Sequence, residues 1–391
     1  MRTFIAVLLS ALVVCSLLGC KKPVEPVVKE QPNFDWQLPK GKLGLAKLTN
    51  PAEIPDFTTA CADLTNLKFA VNRSINYMSK PSSRDVYRYY EPVFTHAKAL
   101  ATLQAFAALL DSGMSPEQMN TAIREKFDVY TSVGWNGFGD VLFTGYYTPI
   151  FNASPTKTGK FTYPLYKAPA GLVKSPDGTV APWKSRQEIE STNACGGQEL
   201  YYLGDPFEVY IAHVQGSAKL RLPDGKLITV GYSAYNGHEY VSIGKIMLEE
   251  GKVPKGGLSL RAMIEYFKQH PDEITRYTWK NPRFVFFNEQ ANEPHGSLNE
   301  PVTAWRSIAT DKAIFPRASV TFLSCKLPKR TGNQITSFPY TGWFLDQDAG
   351  GAIRAPGRCD VYMGIGDDAG ELAGRTAEQG RLYYLLLKDG Q

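Results

Sequence analysis

With 391 residues, 43% of them hydrophobic and 21% charged, the chain has the composition of an ordinary folded globule, long enough for two domains. Its net charge of +5 is too small and too dispersed for a nucleic-acid binder, though it suits an acidic partner. The five histidines, His96, His213, His238, His270 and His295, form no His-x-x-x-His pattern, and no Cys-x-x-Cys pair occurs. A metal site, a redox site, a Ser-His-Asp triad and a cofactor are therefore not expected.

Arg2 opens the chain with positive charge, and an apolar run from Phe4 to Leu18 follows. That run is short for a spanning helix, which needs about 20 residues, and fits the apolar region of a signal peptide. It ends in Leu17-Leu18-Gly19-Cys20, the pattern at which bacterial lipoproteins are cut before the cysteine and lipidated on its thiol. The alternative is a short membrane anchor with an accidental Gly-Cys. Residues 1–19 thus read as signal peptide and Cys20 as the lipid anchor. Lys21 and Lys22, where an Asp would favour the inner membrane, point to the periplasmic side of the outer membrane. The stretch 20–42, rich in Pro, Lys, Glu and Val, lacks any helical or strand period and reads as a tether. Beyond Cys15 and Cys20 the cysteines are Cys61, Cys195, Cys325 and Cys359, and an exported chain can oxidise them. Sequence does not choose among their pairings.

Leu64, Leu67, Val71, Ile75 and Met78 recur at helical spacing within 56–78, and Leu100, Leu103 and Phe106 do so within 94–110. Ser115-Pro116-Glu117-Gln118 begins another helix, with a capping Ser, Pro in the first turn and Gln three residues on. The texture changes after Trp135. The β-branched and aromatic stretch 141–149 predicts a strand, and further strands are expected near 209–214, 219–222 and 227–230. Pro223-Asp224-Gly225 supplies a hairpin turn between the last two. Short helices are expected over 242–250 and 259–270, the second stopped by Pro271, and strands dominate after Pro282.

The segment richest in chemistry is Asp348-Ala-Gly-Gly-Ala-Ile353, followed by Asp360 at the start of a stretch that alternates Val361, Met363 and Ile365. Gly350 and Gly351 allow a sharp turn or a close approach to a ligand. A third acid, Asp311, ends the stretch 307–311. Each Asp alone reads more readily as a turn or cap residue than as a catalyst; three in one β-rich region form a candidate carboxylate cluster. Tyr146 and Tyr147 offer flat faces for a sugar, and Thr144, Gln215 and Ser217 offer hydrogen-bonding partners, although one Tyr of an adjacent strand pair must face inward. Asn236-Gly237-His238 reads as a turn.

From Leu43 to Lys388 the chain resembles the membrane-bound lytic murein transglycosylase A family, whose C-terminal part is called the three-aspartate domain. The stretches that carry the resemblance include Phe143–Pro149 (with Thr144, Gly145, Tyr146 and Tyr147), His213–Ser217, Leu222–Gly225, Asn236–His238, Ser242–Gly244, Arg306–Asp311, Asp348–Ile353, Asp360–Tyr362 and Gly380–Leu382, in the family's order. Departures from its pattern are Ala218, Ala349, Thr310 and Arg317-Ala318; Ala349 removes a hydroxyl beside Asp348 and leaves that residue's hydrogen bonding open.

The resemblance implies an α+β fold: a double-psi β-barrel with helices, formed by 43–149 and 283–391 and interrupted by a smaller β-rich glycan-binding domain at 150–282, with a groove between them. It implies that Asp360 is the catalytic acid and base, supported by Asp348 and Asp311, and that Thr144, Gly145, Tyr146, Tyr147, Gln215, Ser217, Gly350 and Gly351 line the substrate. The implied activity is that of a peptidoglycan lytic exotransglycosylase, a carbon–oxygen lyase that leaves 1,6-anhydromuramic acid ends. The implied partners are glycan strands and, through the lipid, the membrane, with the chain acting as a monomer. A hydrolytic muramidase using two carboxylates, or an inactive peptidoglycan-binding scaffold, are the alternatives. To act first as an acid, Asp360 needs a raised pKa, from burial or from the like charge of Asp348 or Asp311.

Overall fold

The computed structural model describes residues 32–390 except 174, 176–179 and 255–258; the signal peptide, Cys20 and most of the tether lie outside the described residues. Among the described residues fourteen strands run in chain order as β1 (Leu45–Lys47), β2 (Phe127–Ser132), β3 (Val141–Thr148), β4 (Ile150–Ser154), β5 (Tyr163–Tyr166), β6 (Glu199–Leu203), β7 (Ser217–Arg221), β8 (Leu227–Tyr235), β9 (Val285–Gln290), β10 (Ser307–Ala309), β11 (Val320–Thr331), β12 (Gln334–Asp348), β13 (Arg358–Ile365) and β14 (Ala377–Leu387). They form two sheets. The larger has the order β1-β2-β14-β11-β12-β10-β13-β3, and a further pairing of β14 with β3 closes six of its strands into a barrel. Around that ring β3/β13 and β10/β12 are parallel and the other four pairs antiparallel. The molecule is thus a mixed α+β fold built on a closed six-stranded barrel.

The N-terminal helices cover this barrel. Thr95 caps His96–Leu110 by accepting the Lys98 N–H, and Ser115 with Gln118 forms a reciprocal capping box on Pro116–Lys126. The apolar run over 56–78 is two helices, Thr58–Cys61 and Leu67–Ser79. Between them Asp63 accepts the Thr65 N–H, and Asn66 turns left-handed. Arg306, almost wholly buried, holds this break by donating to the Asp63 and Thr65 carbonyls. Beneath the helices Trp343 of β12 meets Phe57, Phe106 and Phe322 at ring-centre distances of 5.0, 5.1 and 5.3 Å.

The second sheet, β5-β6-β4-β7-β8-β9, has its own core, which includes Phe207, Tyr210, Phe267, Tyr277 and Phe287. Here the structure corrects two expectations. The run 209–214 is not a strand but part of the helix Pro206–Gln215. Its β-branched and aromatic residues suggest a strand, but Asp205 caps the first turn, Pro206 fits its first position, and Gly216, at φ 75°, ends it. The second lobe also does not end at residue 282. β9 pairs with β8 and sends Val285 and Phe287 into the second core, so the chain returns to the barrel only after Gln290. The cysteines Cys61, Cys195, Cys325 and Cys359 are all buried free thiols.

Trp343→Ala empties the aromatic junction between barrel and helices, and large-to-small changes of this kind cost about 3–5 kcal/mol. Urea unfolding of the variant is expected to show a lower midpoint with an unchanged slope; an unaltered midpoint would mean that this junction does not hold the helices to the barrel.

Candidate active site

The closed barrel places the expected acids by register. Ala309 of β10 pairs on one side with Asp348 of β12 and on the other with Asp360 of β13. Asp360 pairs in turn with Thr144 of β3, and Thr144 with Ala377 of β14. Residues level with one another across neighbouring strands point to the same face, so Asp348, Asp360 and Thr144 share one row. A bulge at Ile308/Ala309 makes this possible: Ile308 pairs with Asp346, yet the next residue pairs with Asp348, skipping Gln347.

The two carboxylates differ in how they are held. Asp348 accepts from the Tyr146 hydroxyl at 2.9 Å, from the Ser297 N–H at 2.9 Å and from the Ala349 N–H at 2.8 Å. The hydroxyl missing at position 349 is therefore not needed to satisfy Asp348. Asp360 accepts one side-chain hydrogen bond, from the Thr144 hydroxyl. Burial raises the pKa of both. For Asp360 the Arg358 charge and the Thr144 hydroxyl oppose the rise; for Asp348 its three donors and the Lys312 ammonium do. Of the two causes expected from sequence, burial is the one that acts on Asp360; no neighbouring carboxylate contributes. Asp311 lies two residues beyond β10, off the row. Buried to 5% exposure, it accepts the Ala313 N–H at 3.1 Å and sits 4.0 Å from the Arg354 guanidinium.

The other expected site residues divide into two groups. Thr144 and Tyr146 meet the carboxylates directly, and Tyr146 packs on Tyr362 with ring centres 5.1 Å apart. Tyr147 turns inward, and its N–H donates to Gln215 Oε1 at 3.1 Å. Ser217 is buried in a hydroxyl chain, 3.1 Å from Thr148, which lies 2.9 Å from the Tyr362 hydroxyl. Gln215 and Ser217 thus tie the second sheet to the barrel. Gly145 lets the helix Asp367–Ala373 approach, since a Cβ there would lie 2.7 Å from Ala373 Cα. Gly350 turns against Ile353, and a Cβ on Gly351 would lie 3.0 Å from Arg283 Nε. Asn236 is a buried anchor, bonded to the Lys184 and Pro282 carbonyls and to the Phe284 N–H.

Sequence reasoning missed Ser297, Tyr362, Arg358, Arg283 and Lys312. Arg358 was findable, since it stands two residues before Asp360 on one strand and so shares its face. Lys312 is buried beside the row. Its ammonium donates to Asp346 and to the Thr310 hydroxyl at 2.9 Å, while Asp346 also accepts from Thr310 at 2.7 Å and Tyr384 at 2.8 Å.

Residues 142–288 match the MltA specific insert domain and residues 306–386 the 3D domain. Over 267 residues the chain is 33% identical to membrane-bound lytic murein transglycosylase A of Escherichia coli K12, covering 67% of this chain and 70% of that relative. The chain belongs to the membrane-bound lytic murein transglycosylase A family. The relative of that name in Vibrio cholerae is 31% identical over 257 residues, covering 64% of this chain and 67% of that one. The crystal structure of the Escherichia coli family member with bound chitohexaose aligns at a TM-score of 0.67 and 27% identity, covering 91% of this chain and 99% of that one. A membrane-bound lytic murein transglycosylase from Agrobacterium tumefaciens shares the fold at a TM-score of 0.71 and 24% identity, covering 88% of this chain and 98% of that one.

The raised Asp360 pKa has a stability consequence with a definite sign. A carboxyl whose pKa is higher folded than unfolded costs nothing at pH below both values, and its cost enters as pH rises through them. Asp360→Asn is expected to melt above the wild type at pH 7, with the gap closing below roughly pH 3, under the usual carboxylate range. Melting temperatures across that window decide; a variant that is less stable at pH 7 would show that Asp360 serves the fold.

Proposed function

We propose that this chain is a lytic transglycosylase of peptidoglycan in which Asp360 alone serves as acid and base. The observation that carries the assignment is the contrast in the row: burial raises Asp360 while leaving it a single hydroxyl donor, whereas three donors occupy Asp348. A protonated Asp360 gives its proton to the oxygen bridging N-acetylmuramic acid and N-acetylglucosamine. The bond from muramic C1 to that oxygen breaks, and its electron pair leaves with the oxygen. The muramic 6-hydroxyl then attacks C1, and its proton passes to the Asp360 carboxylate, which restores the acid. No water enters, and the product is a 1,6-anhydromuramic end. Because the nucleophile belongs to the same ring, its effective molarity is high, which accounts for one carboxylate sufficing where glycoside hydrolysis commonly uses two.

Asp348 and Asp311 support the site from its edges. Tyr146 and Thr144 orient the carboxylates, and Gly145, Tyr147, Gln215, Ser217, Gly350 and Gly351 shape the groove around the glycan. The alternation of two parallel pairs with antiparallel neighbours supports a double-psi topology for the barrel. The body formed by 43–149 and 291–391 is then catalytic, and 150–290 is the inserted glycan-binding part. One chain supplies the whole row, so the working unit is a monomer. The protein is a lipoprotein of the outer membrane, facing the periplasm. Among the described residues no helix is long and apolar enough to cross a membrane. Attachment is assigned to the lipid on Cys20, outside the described residues.

Asp360→Asn removes the proton carrier without changing the side chain's size. General acid–base assistance is worth roughly 100- to 10,000-fold, and a loss at the upper end is expected because one group serves both half-steps. Asp348→Asn is expected to lose less, and a reversed order would exchange their roles. Binding of Asp360→Asn to purified sacculi, which should persist, shows that its groove is intact. Mass spectrometry of wild-type products should find anhydro ends; reducing ends would make the enzyme a hydrolase.

Cys20→Ala is expected to move the folded protein from the detergent phase to the aqueous phase on partition, and retention in detergent would argue against a lipid on that thiol.

A further inference from the structure

Residues 33–37 belong to the stretch that reads as a tether, yet they pack against the body. Asn33 and Trp36 close a turn, with the Trp36 N–H donating to the Asn33 carbonyl at 3.1 Å. Phe34 meets Trp135 edge to face, with ring centres 5.9 Å apart. Trp135 is itself fixed: its indole N–H donates to Gln379 of β14 at 3.2 Å, and a Cβ on Gly357 would lie 2.6 Å from its own. Gln37 donates to the Arg354 carbonyl at 3.0 Å. Between these two barrel contacts the Asp35 carboxylate reaches both lobes. One of its oxygens pairs at 2.8 Å with Lys245, on the second-lobe helix Ile243–Glu249, and the other lies 3.9 Å from the Arg358 guanidinium of β13.

The pleat of β13 fixes where this contact falls. Arg358, Asp360 and Tyr362 alternate along one strand and so share the face that carries the row. Two residues after Asp360, the Tyr362 hydroxyl bonds Thr148, which bonds Ser217 of the second sheet. Two residues before it, Arg358 meets the strap, and the strap reaches the second lobe at Lys245. Barrel and second lobe are therefore linked on both sides of the acid, by hydroxyls of the fold on one side and by tether residues on the other. A glycan strand lying between lobes linked in this way is enclosed at Asp360, and it arrives there by an end rather than from the side. The strap is the weaker link. The Lys245 and Asp35 side chains are 62% and 53% exposed, and exposed pairs hold weakly and are screened by salt.

We propose that Asn33–Gln37 is a latch across the groove, which keeps glycan strands from entering sideways and so makes cleavage proceed from strand ends. The latch rests on the transglycosylase reading. The family resemblance implies attack at strand ends without giving its cause, and the latch supplies one from this chain's own residues. It also accounts for an aromatic contact, an amide hydrogen bond and a carboxylate shared by two lobes within five residues of a tether, where a plain spacer needs none of them.

The test compares the fragments released from long glycan strands, stripped of peptide by an amidase, by three full-length proteins: the wild type, the double variant Phe34→Ala/Asp35→Asn, and Lys245→Gln. Early in the digest the wild type is expected to yield the shortest anhydro products beside strands of almost full length. The double variant is expected to yield mid-length fragments, with the share of internal cuts raised roughly 5-fold, as loss of an exposed ion pair allows. Lys245→Gln breaks the same pair from the second lobe and should shift the pattern in the same direction. None of the three residues lies in the row or in either core, so total release of anhydro ends should not fall by more than about 2-fold. Fragment sizes that match the wild type in both variants, or mid-length fragments from the wild type itself, overturn the latch. A loss of total activity at unchanged fragment sizes overturns it too, because the strap would then only support the fold. Anhydro ends are scored in the same digest, so failure of the latch in an active enzyme is distinct from failure of the transglycosylase reading.

Discussion

The hydrogen-bonded closure of β14 onto β3 is the constraint on which the site depends. An open sheet twists by roughly 20–25° per strand and leaves its edges free to shift. In a closed ring no strand can slide without breaking two ladders. Thr144, Asp360, Ala309 and Asp348 come from four different strands, yet their level is fixed because the ring allows one register. The bulge at Ile308/Ala309 is the irregularity that the row requires: with regular pairing, Gln347 would stand level with Ala309 and face the row, and Asp348 would turn to the opposite face.

The second lobe is fixed to this ring over a short distance. The chain passes from β3 to β4 through Pro149 alone, and the hydroxyls of Ser217, Thr148 and Tyr362 join the lobes at the same point. Gln215 adds a bond from the helix end to the Tyr147 backbone. Four side chains and one proline thus join the two sheets at this point. Elsewhere Arg283 reaches Gly351 while its guanidinium rests on the Tyr235 ring.

What could be read from sequence was local. The capping box at Ser115, the Pro223-Asp224-Gly225 hairpin and the ends of the helices Ile243–Glu249 and Leu260–Gln269 depend on neighbours a few residues away. The three aspartates stood out because glycines and alternating apolar residues flank them. Non-local features were hidden. The Tyr146–Asp348 bond joins residues 202 positions apart, and no periodicity in either segment announces it. The helix Pro206–Gln215 misled because its Val, Tyr and Ile residues fill a core, where tertiary packing outweighs the preference of such residues for strands. The boundary at residue 282 failed for a related reason: Val285 and Phe287 alternate as well for one sheet as for the other, and the partner strand β8 alone decides.

Burial alone does not separate the two carboxylates, since it raises the pKa of both; their partners do. Asp348 faces a hydroxyl on one carboxylate oxygen and two backbone N–H groups on the other, and the ionised carboxyl accepts all three. The Lys312 charge acts in the same direction. Asp360 has a single hydroxyl partner, and a hydroxyl can donate or accept by rotating. Thr144 can therefore follow the proton on and off Asp360 without leaving a buried polar group unpaired in either state. At Asp348 the Tyr146 hydroxyl on Oδ2 can turn in the same way, but the two backbone N–H groups cannot, and together they fix Oδ1 as an acceptor.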